Sequence, residues 1–187
     1  MPDHVLTKTS IPGLYVVEAP PHEDPRGSFT EVWQDQKLTS AGMPPLRPVQ
    51  QNRSINRGRG VTRGIHAEPW KKYVSLSYGH VFCAVVDLRP DSPTFKRWES
   101  FELAWDETPA RALYLSEGLG NSFQTLSDEA VYSYLVTAHW DDASVPQYVQ
   151  VNVGDPELAI PWPIPFDKMI LSDKDRALPT VRERFGS

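Results

Sequence analysis

The sequence predicts an all-β protein, a β-sandwich or jelly-roll barrel carrying a few short helices. Three observations point there. Short segments rich in β-branched and aromatic residues recur along the chain, 18 prolines and 11 glycines punctuate it without repeating, and stretches long enough for a helix are scarce. In order, the strand candidates are LYVVEA (14–19), SFTEVW (28–33), KKYVSLSY (71–78), HVFCAVVDLR (80–89), RWESFEL (97–103), RALYLS (111–116), SFQTLS (122–127) and AVYSYLVTA (130–138). The helix candidates are QDQKLTSAG after Trp33 and the charged tail LSDKDRALPTVRERF. GLGNSF (118–123) has glycines ahead of a strand but lacks the strand-turn-helix setting of a phosphate-cradling loop, so it reads as a turn.

With 187 residues and 40% hydrophobic content, the chain suits one domain, 1–187, with a substantial core. Twenty-four acidic against 19 basic residues give a net charge of -5, which argues against a general attraction to nucleic acid or to an anionic membrane. Any anion site must be local. The lone Cys83 excludes an intramolecular disulfide, and no apolar run is long enough for a membrane-spanning helix or the core of a signal peptide, so the chain reads as cytoplasmic.

One stretch, GVTRGIHAEPWKKYVSL (60–76), gathers an arginine, a histidine and two lysines in this acidic chain. Arg63 and His66 are three residues apart, so a regular strand would point them to opposite faces; Gly64 between them permits a bulge that could bring both to one cavity. On spacing alone, a strand histidine with one satisfied hydrogen bond is the commoner outcome for His66, and Lys71 and Lys72 would ordinarily face solvent. The five histidines (His4, His22, His66, His80, His139) contain no His-x-His pair and no clustered ligand set, which argues against a metal. Cys83, inside the apolar run VFCAVVDL, reads as a small core residue without an activating base.

Seven blocks, DPRGSFTEVW, QQNRS, GVTRGIH, GHVFCAVVDLRPDSPTF, LYLSEGLGNSFQTLSD, YSYLVT and ILSDKD, occur in the order expected of the dTDP-4-dehydrorhamnose 3,5-epimerase family. The resemblance spans roughly residues 11 to 180. It implies a cupin-type jelly roll, a homodimer with exchanged elements, and a dTDP-4-keto-6-deoxy sugar as substrate, with neither metal nor organic cofactor.

The same resemblance assigns roles. A nucleotide diphosphate sugar brings a diphosphate that arginine forks suit; Arg63 and Arg26 are the implied diphosphate and sugar contacts, Arg26 reaching a neighbouring subunit's pocket. Glu31, Gln50 and Asn52 line the site. Proton exchange beside a C4 ketone needs a base, an acid and a cation for the enolate oxygen. The implied base is His66, oriented by Asp175 of LSDKD; the implied acid is Tyr134 of YSYLVT; Lys72 is placed to stabilise the enolate. Tyr132 shares the strand parity of Tyr134, so the residues alone leave that choice open. Trp140 aligns with a position that stacks on thymine.

The chain departs from the family pattern where Asn121 stands in place of a usual histidine and Cys83 in place of a usual aspartate. The segment from His66 to Lys72 is also short. These changes leave open which of C3 and C5 is epimerised and which sugar is accepted. A mono-epimerase, a ketoisomerase of deoxysugar assembly and a silent sugar-nucleotide-binding cupin are the alternatives, the last opposed by the joint presence of His66, Asp175 and Tyr134.

Overall fold

The computed structural model describes residues 3–141 and 147–186. Two antiparallel sheets face each other, as the turn-punctuated strand pattern predicts. The first runs, edge to edge, β1 (Val5–Lys8), β2 (Leu14–Ala19), β10 (Ala110–Leu115), β7 (Lys72–Tyr78), β12 (Glu129–Val136) and β5 (Gln50–Arg57). The second runs β13 (Val149–Gln150), β6 (Thr62–Ala67), β11 (Leu119–Thr125), β8 (His80–Asp87) and β9 (Trp98–Ala104). From β5 to β8, and again from β9 to β13, each successive strand lies in the opposite sheet, the winding of a jelly roll. A small hairpin of β3 (His22–Asp24) and β4 (Gly27–Phe29) stands apart with every residue exposed.

Strand β8 shows why a nearly continuous apolar run can still be a strand. Val81, Cys83 and Val85 point between the sheets, while Phe82, Ala84 and Val86 pack beneath Val151, Val153, Leu158 and Ile160 of the C-terminal segment. A strand covered on both faces loses its polar alternation. The helices are short and individually capped. Helix α1 (Asp35–Ser40) starts at Gln34, whose side chain accepts from Lys37 N, and buries Leu38 against the outer face of the first sheet with Val17, Met43 and Tyr73. Helix α2 (Asp173–Arg176) is capped by Ser172, and α3 (Val181–Phe185) by a Thr180/Glu183 capping box.

Three expectations need correction. GLGNSF is not a turn: from Leu119 onward it is strand β11. Gly120 is there because a Cβ would come within 2.6 Å of Ile65 Cγ2 on the neighbouring strand β6, so it marks a close approach within the sheet. SFTEVW is strand only as far as Phe29. Beyond it the chain breaks away toward α1, held where the Tyr73 hydroxyl donates to the Val32 carbonyl at 2.6 Å. Strand β5 has no counterpart among the sequence-predicted strands.

Candidate active site

The site forms between the sheets at the end where β6 and β12 face each other, and it depends on a rephasing of β6. Asn121 of β11 pairs with His66 and Phe123 with Arg63, so three steps along β6 match two along β11. That extra residue is a bulge around Gly64, which sits at φ +111° with its Cα close enough to β11 that a Cβ would lie 2.6 Å from the Asn121 carbonyl oxygen. The bulge brings Arg63 and His66 to one cavity, as the glycine allowed.

The cavity has two connected lobes. The inner one, about 150 Å³, is bounded by Arg63, His66, Lys72, Asn121, Tyr134 and Asp175, with Tyr132 and Phe123 at its floor. The outer one, about 410 Å³, is walled by Gln50, Asn52, Trp70, Trp140, Gln150 and Lys174. His66, Glu68 and Tyr134 belong to both and form the neck.

His66 Nε2 lies 2.9 Å from Asp175 Oδ1. The pair spans 109 positions of sequence, joined because α2 packs on β6. Burial alone would raise the Asp175 carboxyl; the bond from His66, with support from Ser172 and the Gly64 amide, outweighs it and holds the group below the ordinary carboxylate range. An ionised carboxylate can only accept, so Nε2 carries the shared proton, which in a neutral imidazole leaves the lone pair on Nδ1.

Tyr134 comes from the opposite sheet. Its parity on β12 sets it beside Asn52 of β5 and Val74 of β7 on the face lining the cavity. Burial first, and the charge of Glu68 second, raise its phenol above the ordinary value, with Arg63 opposing, so it is a hydroxyl donor throughout the neutral range. Lys72 Nζ lies 5.5 Å from the centroid of its ring and pairs with the Glu68 carboxylate.

The second tyrosine does different work. Tyr132 is fully buried, stacks on Phe123 at 4.1 Å between centroids, and donates to Asn121 Oδ1 at 2.9 Å, with Cys83 Sγ 3.3 Å from its hydroxyl. Burial pushes the Cys83 thiol up to about 12 and the Tyr132 phenol well above 10. The floor is thus uncharged throughout the neutral range. Tyr132 faces the floor, and Tyr134 faces the open cavity.

Other site residues predicted from sequence divide by location. Gln50 donates to Asn52 Oδ1 at 2.8 Å, and its own Oε1 accepts from the Trp140 amide at 3.1 Å, which ties the Trp140 backbone to β5 while the residue stays 55% exposed. Arg63 Nε donates to Asn56 Oδ1 at 2.7 Å, fixing the guanidinium plane. Arg26 and Glu31 are not cavity residues of this chain. Arg26, at the tip of the β3–β4 hairpin, pairs with Asp24 and keeps 89% of its side chain exposed. Glu31 pairs with Lys37 at 2.5 Å.

Sequence reasoning missed Glu68, Trp70, Gln150 and Lys174. Glu68 had a signal, since it stands two positions after His66. Gln150 had none: it reaches the site because the two-residue strand β13 pairs with β6, setting Gln150 opposite His66. Among the described residues, no group of three or more His, Cys, Asp or Glu side chains could hold a metal ion, and no helix is long and apolar enough to cross a membrane.

Comparison with known proteins agrees on one family. The model of the dTDP-4-dehydrorhamnose 3,5-epimerase family matches residues 8–183. The chain is 40% identical to a dTDP-4-dehydrorhamnose 3-epimerase of Streptomyces niveus over 92% of its own length and 83% of the relative's. It is 37% identical to a dTDP-4-dehydrorhamnose 3,5-epimerase of Streptomyces griseus, covering 93% and 85% of the two chains. The structure superposes with a TM-score of 0.88 on RmlC from Streptococcus suis in complex with dTDP-D-xylose, at 32% identity, covering all of this chain and 95% of the other. A jelly roll that aligns with these isomerases over 92% or more of its length, and whose cavity sits where its own strands converge, belongs to the dTDP-4-dehydrorhamnose 3,5-epimerase family.

Proposed function

We propose that the protein inverts a carbon beside the C4 ketone of a dTDP-4-keto-6-deoxy sugar, at C3, C5 or both, with His66 as base and Tyr134 as acid. The observation that carries this reading is their origin on facing sheets: a ring held in the inner lobe would have the imidazole on one face and the phenol on the other. His66 Nδ1 takes the carbon-bound proton, and the electron pair moves onto the ketone oxygen as an enolate. Asp175 stabilises the resulting imidazolium without accepting its proton. Lys72 stabilises the enolate oxygen. Tyr134 then gives its phenolic proton to the carbon from the other face, and solvent restores both side chains.

Arg63 suits the diphosphate, because a guanidinium fork matches phosphate oxygens and its plane is already set by Asn56. Trp140 suits the thymine at the outer lobe. Arg26 fits a role in a homodimer, the exposed hairpin of one copy reaching the cleft of another; light scattering should give twice the chain mass, and a fully active monomer would refute it.

The deciding experiment is incubation with dTDP-4-keto-6-deoxyglucose in deuterated water, read by NMR at C3 and C5. Label with inverted configuration at both carbons means double epimerisation, and at one carbon a mono-epimerase. His66→Ala should abolish exchange, since general-base help is worth about 10²–10⁴-fold and the enolate cannot form without it. Tyr134→Phe should exchange slowly without inversion, reprotonated by His66 from the original face, with Asp175→Asn between the two. Normal epimerisation in His66→Ala would end the mechanism.

A further inference from the structure

Building on the epimerase reading, we propose that Glu68 is a positioning residue of the reaction: its ion pair holds the Lys72 ammonium beside the Tyr134 ring at the neck between the lobes, where the enolate oxygen develops. The turn that carries Glu68 is pinned. Its carbonyl accepts from the Gly118 amide at 3.1 Å, the next-but-one residue Trp70 is buried and packs edge-on against Tyr148 at 5.3 Å, and the Lys71 amide donates to Thr137 Oγ1 at 3.1 Å. The backbone on either side of the carboxylate is fixed in this way, and the Glu68 side chain is 12% exposed.

Lys72 needs such a partner. Its side chain is 6% exposed, and an ammonium taken out of water without an anion beside it is costly. The groups around it offer no other. From β6, Arg63 is a cation and His66 is bonded to Asp175, the lobe's second carboxylate. From β12 and β8, Tyr134, Tyr132 and Cys83 are neutral, each held in its protonated form by burial. Glu68 is thus the anion among the described residues that is left for Lys72, four positions away across the β6–β7 turn.

The arrangement bears on catalysis as well as on folding. A long flexible lysine that had to find the enolate oxygen would lose rotamer freedom at each turnover, whereas an ammonium already fixed by an ion pair has lost it beforehand. Because Glu68 itself lines both lobes, the ammonium it pairs with is kept at the cavity wall.

The test is a double-substitution cycle read by deuterium exchange and inversion. Glu68→Gln should lower kcat roughly 10- to 100-fold, below the loss from deleting an oxyanion donor outright, with KM changed by less than about threefold. Glu68→Asp should recover part of the rate. In the Lys72→Met background, Glu68→Gln should cost nothing further, because it acts through a group already gone. The alkaline limb of kcat should move to lower pH in Glu68→Gln, since the Glu68 charge helps hold up the Tyr134 phenol. Independent, additive losses, or a full kcat in a Glu68→Gln protein that merely melts earlier, would overturn the proposal. Should Glu68→Gln fail to fold, Glu68→Asp carries the same cycle. If the wild-type protein exchanges no deuterium, the epimerase reading falls, and the ion pair is then read without substrate. The Lys72 ammonium should give a slowly exchanging ¹⁵N resonance that is lost in Glu68→Gln, and its survival would refute the positioning role.

Discussion

Replacing Gly64 by alanine tests whether the β6 bulge builds the site. At φ +111° an alanine is strained, at a cost of about 1–3 kcal/mol. Its Cβ would also lie 2.6 Å from both the Asn121 oxygen and the Ser122 Cβ. Ordinary contact begins near 3.4 Å, so the strands must part by roughly 0.8 Å. β11 cannot retreat freely because β8 is bonded along its other edge. Overpacking of this kind costs about 1–3 kcal/mol more. The sum, about 2–6 kcal/mol, is a large part of a typical stability of about 5–15 kcal/mol. At about 2–4 °C per kcal/mol for a chain of this length, the melting temperature should fall by roughly 4–24 °C. Gly42→Ala is the control. Its φ is +99° but nothing lies within 4 Å of the added Cβ, so it bears the backbone strain alone. Scanning calorimetry reads the difference, and deuterium exchange on the folded protein reads the site, where a displacement near 1 Å should cost on the order of 10²-fold in rate. A Gly64→Ala protein that melts within about 2 °C of Gly42→Ala and exchanges at the normal rate would refute the reasoning, the threshold following from the same conversion.

Further outcomes follow from the same geometry. Tyr132→Phe should keep the ring stack on Phe123 and retain inversion, while losing about 1–3 kcal/mol of stability as Asn121 Oδ1 forfeits its hydroxyl donor; loss of inversion there would exchange the roles of the two tyrosines. Because the Asp175 carboxyl is held below its unfolded value of about 3.9, its contribution to stability is complete above about pH 5 and is lost as pH falls through the lower folded value. The stability gap between wild type and Asp175→Asn should therefore begin to close only below about pH 4 and vanish as pH falls past the lower folded value, and a gap that widens in acid would contradict the assignment. Trp140→Ala should raise KM roughly 5- to 150-fold with kcat nearly unchanged, the worth of about 1–3 kcal/mol for an aromatic stacked on a base; an unchanged KM would remove the tryptophan from the thymine.

Much of this was legible because the sequence carried the right period or the right breaker. Strand β8 announced itself by continuous apolar residues, and Gly64 announced the bulge by interrupting an otherwise regular strand. Strand β5 was not legible, because its alternation is inverted. Gln50, Asn52, Ser54 and Asn56 turn inward, and the apolar residue of QQNRSINR, Ile55, points out at 44% exposure. A strand that lines a polar cavity has no hydrophobic face to betray it. In β11 a glycine used for close packing looked like a glycine used for a turn. The His66–Asp175 pair was visible as two motifs but not as a contact, since only the docking of α2 on β6 closes that distance.

The sealed thiol at the cavity floor makes the molecule convenient for labelling. Cys83 has no exposed surface and its thiol is pushed up to about 12, so at neutral pH only roughly 1 in 10⁵ would be thiolate, and reagent cannot reach even that fraction in the folded chain. A cysteine introduced at Ser28 of the β3–β4 hairpin, where every residue is exposed, would then be the single reactive handle, with no need to delete the native one. A spin label or fluorophore there would report directly on whether the hairpin of one molecule rests in solvent or against another.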